Sequence, residues 1–62
     1  MNNIKGIRIE KNMTQTELSR IARISQPYLH DLENGNRGAK RETLERIAKA
    51  LNVEVEDLTV NS

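Results

Sequence analysis

Thr14-Gln15-Thr16-Glu17-Leu18-Ser19-Arg20-Ile21-Ala22, then Arg23-Ile24, then Ser25-Gln26-Pro27-Tyr28-Leu29-His30-Asp31-Leu32-Glu33-Asn34 is the stretch that decides the fold. Thr14 with Glu17 three positions on reads as a capping box, in which hydroxyl and carboxylate each accept from the other's backbone amide. Met13 and Leu18 supply the matching hydrophobic staple, and Leu18, Ile21 and Ala22 continue an apolar face at helical spacing. A helix is therefore predicted over about 14–22. Ser25 caps another helix at once, over about 25–34. Pro27 is tolerated in its first turn, where the missing amide would have been unpaired anyway. Leu29 and Leu32 face the core, and Gly35 supplies a left-handed residue just past the end. Two helices joined by about three residues cannot lie antiparallel and cross steeply, at roughly 90–120°. The start of the second one then projects, and a projecting helix fits the roughly 12 Å wide major groove of duplex DNA.

Further helices extend on both sides. A first helix is expected over about 2–12, with Ile4, Ile7 and Lys11 on one face and Arg8 beside them. Gly6 weakens it by roughly 0.5–1 kcal/mol relative to alanine, so packing must hold it. After a polar loop at 35–39, Leu44, Ile47, Ala48 and Leu51 mark a fourth helix over about 41–51. Asn52 suits the left-handed position after it, with Val53 as the following apolar contact. A short last helix near 55–59 brings in Val55 and Leu58, and Thr59 to Ser62 are expected to fray. No segment alternates apolar and polar residues, so the class is all-α, one domain spanning 1–62.

Composition narrows the chemistry. The chain has 62 residues, no cysteine and one histidine. Disulfides and thiolate metal sites are excluded, a metal or other cofactor is not expected, and helix packing must carry the stability. No apolar run nears the roughly 20 residues that span a bilayer, so no membrane partner is expected. The N-terminus lacks the apolar stretch of a signal peptide, which suits a cytoplasmic protein. Net charge is +1 but uneven. Residues 1–41 hold eight basic against four acidic side chains, and residues 42–62 two against five. One end can face phosphates and the other solvent or a partner, although an ordinary solvated surface would look the same.

Met13-Thr14-Gln15-Thr16-Glu17-Leu18-Ser19, Ile24-Ser25-Gln26, Leu32-Glu33-Asn34-Gly35 and Glu42-Thr43-Leu44-Glu45-Arg46-Ile47-Ala48-Lys49-Ala50-Leu51 together resemble the XRE family of Cro- and phage-repressor-type helix-turn-helix domains. The likeness runs from about Ile4 to Leu58. It implies a five-helix, lambda-repressor-like bundle whose third helix reads DNA, with glutamines opening the second and third helices. Gln15 and Gln26 match both positions. Gln15 stands at a helix N-terminus, where free amides and the dipole favour a phosphate. Gln26 offers a donor and an acceptor, the pair that reads adenine. Arg8 and Glu33 match a structural ion pair of the family, between the first helix and the end of the third.

On a helical wheel fixed by Leu29 and Leu32, the residues Pro27, His30, Asp31 and Asn34 lie opposite the core, with Gln26 and Tyr28 on the flanks. Pro27 and Asp31 are thus aimed best at base edges. Asp31 can accept from cytosine, or can repel phosphate and pair with a nearby cation. Pro27 offers only apolar contact, for example to a thymine methyl. Tyr28 is either partly buried against the second helix or in contact with DNA. His30 reads as a solvated surface residue. Asn34, Asn36, Arg37, Lys40 and Arg41 are short amides and cations suited to phosphates, which set orientation and affinity but carry little sequence information.

Two departures stand out. Arg23 occupies a turn position where the family favours glycine, and Ala39-Lys40-Arg41 replaces a Pro-Ser start, leaving the fourth helix poorly capped. The expected function is sequence-specific binding of double-stranded DNA by a homodimeric repressor, with no small-molecule ligand evident. The alternative is a protein-interaction module, such as an antitoxin, built on the same fold. No nucleophile with a base, no phosphate-cradling glycine loop and no carboxylate cluster points to an enzyme.

Overall fold

Left-handed residues punctuate this chain. The computed structural model describes residues 2–59 and holds five helices: α1 (Ile4–Glu10), α2 (Gln15–Ala22), α3 (Gln26–Glu33), α4 (Arg41–Leu51) and α5 (Val55–Leu58). Asn12, Arg23, Gly35 and Asn52 follow the first four at φ 59°, 61°, 76° and 60°. Each reversal lets the next amide reach back to a carbonyl of the last turn: Met13 to Arg8, Ile24 to Ser19, Asn36 to Asp31 and Val53 to Ala48, all at 2.9–3.0 Å. Carbonyls orphaned by the helix end are thereby satisfied.

The helix starts are as specific. Thr14 Oγ1 accepts from the Glu17 amide at 3.0 Å, and Glu17 Oε1 accepts from the Thr14 amide at 2.9 Å, closing the capping box. Ser25 Oγ accepts from the Tyr28 amide at 3.2 Å. Lys40 gives α4 no side-chain cap.

These helices are too short to persist alone, so burial holds them. Ile4, Leu18, Ala22, Leu29 and Leu32 pack against Ile47, Ala48, Leu51 and Leu58, all within 3% of full burial. Each large one contributes about 1.5–3 kcal/mol by leaving water. α2 packs on both α3 and α4, and α4 on α5. Among the described residues no helix is long and apolar enough to cross a membrane.

The structure corrects four expectations. α1 begins at Ile4, not Asn2. Asn2 Nδ2 donates instead to the Leu32 carbonyl at 2.8 Å, and the Asn3 amide donates to the Leu58 carbonyl at 3.1 Å. Lys11 is exposed and lies on no buried face, because the helix stops at Glu10 and Asn12 turns the chain. Ile21 is 55% exposed, since Leu18, Ser19 and Ala22 already fill the inward side of α2. Thr59 does not fray: it forms an isolated antiparallel bridge with Asn2. The fraying expected of 60–62 lies outside the described residues.

Candidate nucleic-acid interface

Among the described residues Arg8 is one of two polar residues buried with the core, 8% exposed, and its partners explain why. Its Nε donates to Glu33 Oε2 at 2.7 Å, Nη2 to Glu33 Oε1 at 3.1 Å and Nη1 to the Met13 carbonyl at 2.9 Å. The Glu33 side chain is 2% exposed. A bidentate, charge-assisted pair of this kind is geometrically demanding and fixes the carboxylate plane.

Glu33 has a third donor. Gln15 Nε2 donates to its Oε1 at 3.1 Å, and Gln26 Nε2 in turn donates to Gln15 Oε1 at 3.4 Å. One chain of hydrogen bonds thus runs from the interior to the surface through Arg8, Glu33, Gln15 and Gln26. It starts on α1, passes the end of α3 and the start of α2, and finishes at the exposed first residue of α3. Gln26 keeps its own Oε1 for an outside donor, since Nε2 is the atom the chain engages.

Around Gln26 the surface is concave. Gln15, Gln26, Pro27 and His30 line a shallow depression of about 210 Å³ at the junction of the α2 and α3 N-termini. His30 is exposed, as its reading as solvated surface expects, and the fold seats it beside Gln26 and Pro27. Its spacing, four residues after Gln26, was the available signal. Its ring lies 3.2 Å from Asn34 Nδ2 and 3.8 Å from Asp31 Oδ1. Asp31 is half-buried and does not line this depression.

Tyr28 is half-buried against the core, with the Arg37 guanidinium 5.4 Å from its ring centroid, a cation–π distance that ties α3 to the following loop. Asn34, Asn36, Arg37, Lys40 and Arg41 are all exposed, and Arg41 Nε lies 3.4 Å from Glu45 Oε2. Asn36 and Arg37 share a depression with Asn2, Leu32 and Leu44, away from the Gln26 surface.

Two short helices meeting across Arg23-Ile24-Ser25, with the second presenting glutamine and histidine outward, define a helix-turn-helix protein. The chain belongs to the helix-turn-helix family, which it matches over residues 4–58. It is similar to the immunity repressor protein of Bacillus phage phi105, 40% identical over 84% of this chain, and to the control protein C.BamHI of Bacillus amyloliquefaciens, 36% identical over 89%. It spans 36% of the length of the former and 69% of the latter. In fold it is like the crystal structure of the restriction-modification controller protein C.AhdI from Aeromonas hydrophila, with a TM-score of 0.89 at 23% identity, over 92% of this chain and 86% of that one.

Proposed function

We propose that this protein is a cytoplasmic transcriptional regulator that binds double-stranded DNA sequence-specifically, most simply as a repressor. α3 enters the major groove, and two copies occupy half-sites centred about 34–36 Å apart. The observation that carries this reading is the hydrogen-bonded run from Glu33 through Gln15 to Gln26. It presents Gln26 outward with its rotamer held, so less side-chain freedom is lost on meeting a base. Gln26 and Pro27 are assigned to base edges, with His30 beside them. Tyr28 and Asp31 stand at the margin of that contact. Gln15, Asn34, Asn36, Arg37, Lys40 and Arg41 are assigned to phosphates. The similarity to a phage immunity repressor supports a role in repression.

Selection of bound sites from random duplex DNA tests this. A consensus with two symmetric half-sites is expected, and log affinity should fall linearly with log salt by several phosphates' worth of slope. Binding with neither sequence preference nor salt dependence would refute it.

A further inference from the structure

Ile21, the isoleucine that the apolar pattern assigned to the core, lies open in a groove between α2 and α4. The groove, about 450 Å³, is lined by Ile21, Ala50, Arg23, Arg46 and Lys49. Clefts of this size hold small organic ligands. None of the lining side chains is acidic. Among the described residues none of the three cations forms an ion pair. Lys49 also borders a second depression that holds Glu45 and Glu54, so the charge of the groove rests chiefly on the two arginines.

Arg23 is in a strained position. It sits at φ 61°, left-handed backbone where glycine would be at ease. Residues held in such backbone cluster at ligand clamps and functional sites. Within the fold the side chain is exposed and makes no ion pair. Cations near helix C-termini answer the dipole, and lone exposed isoleucines are ordinary. Neither fact accounts for an arginine where glycine would fit better, set beside a second arginine and an open apolar side chain.

We propose that this groove binds a small, soluble phosphomonoester with a short apolar body. The phosphate sits between the Arg23 and Arg46 guanidiniums, whose planar forks match its oxygens, and Lys49 adds a third charge. The apolar body covers Ile21 and Ala50. The sequence shows no such site, because only the packing of α2 on α4 brings these residues together. Duplex DNA is a poorer occupant, since an exposed isoleucine gains nothing from backbone phosphates. A bilayer is poorer too, because one isoleucine inserts too little apolar area to anchor a protein.

The test is a titration with methyl, butyl and hexyl phosphate, followed by NMR of the backbone amides. No DNA is present, so the outcome is independent of the DNA reading above. Shifts should concentrate around Ile21, Arg23, Arg46 and Ala50. Each methylene that becomes buried should tighten binding by up to about fourfold. Arg23→Gly should weaken binding of all three on the order of 10-fold, and its fold is secure because glycine suits that turn. Arg46→Gln should act alike. Ile21→Ser, at an exposed position, should flatten the chain-length series and leave methyl phosphate binding intact. Circular dichroism checks folding. Shifts confined to Gln15, Lys40 and Arg41, equal affinity for the three esters and inorganic phosphate, or undiminished binding to Arg23→Gly would each overturn the site. Co-sedimentation with phosphatidate vesicles that Ile21→Ser abolishes would reassign the groove to a lipid surface and overturn the soluble ligand.

Discussion

Gln15 Nε2 donates to Glu33 Oε1 at 3.1 Å, so a buried carboxylate already bonded to Arg8 also holds a side chain at the surface. The ion pair and the candidate DNA contacts are therefore one structural unit. Disturbing the inner end should be felt at the outer.

Arg8→Ala leaves the Glu33 carboxylate, 2% exposed, without its cation. A stranded buried charge costs roughly 3–5 kcal/mol, a large share of the stability of a domain this small. Urea denaturation should show that loss. Arg8→Met/Glu33→Met removes both charges and should recover most of the stability. DNA binding should stay weak in the double variant, because Gln15 has lost its acceptor. Affinity returning along with stability would separate the pair from the site.

Gln26→Ala should relax preference at one base position by roughly 1–3 kcal/mol and leave the other positions alone. Competition with single-substitution operators measures this. An equal loss on every sequence would show that Gln26 reads no base.

Lys40→Ala and Arg41→Ala should weaken binding uniformly across sequences, each lowering the log–log salt slope by about 1. An unchanged slope would remove that residue from the phosphate contacts.

Glu17 has its pKa held below the ordinary value of 4.5 by the hydrogen bond from the Thr14 backbone amide, helped by the Thr14 hydroxyl and by Arg20. A lowered native value means that the box stabilises the fold above pH 4.5 and loses that contribution as pH falls through the native value. Glu17→Gln keeps the acceptor but cannot titrate. Its stability should fall less steeply than wild type in thermal melts taken below pH 4.5, and parallel curves would count against the box.

Arg23→Gly should raise stability by about 1 kcal/mol, a shift of several degrees in Tm, by removing the side chain from left-handed backbone. Asn52→Gly, at nearly the same φ, should change little, because asparagine tolerates that region. Melting both in dilute solution compares them, and no gain for Arg23→Gly would mean the arginine relieves its own strain.

Much of this molecule is legible in its order of residues. The span of α4, the boxed start of α2, the serine cap of α3 and the reversals at Gly35 and Asn52 all follow from local rules, because capping and helical periodicity are satisfied within a few residues. The fate of Ile21 and Asn2 does not. Periodicity gives a helix an apolar stripe but not its width, so only the packing of α2 on α4 decided that Ile21 stays outside. Asn2 pairs with Thr59 across almost the whole chain, a contact that no neighbouring residue announces. Likewise the run from Arg8 to Gln26 joins residues far apart in sequence at hydrogen-bond distance. Local chemistry specified the helices and the sharp corner between two of them; the three-dimensional closure determined which side chains that corner holds still.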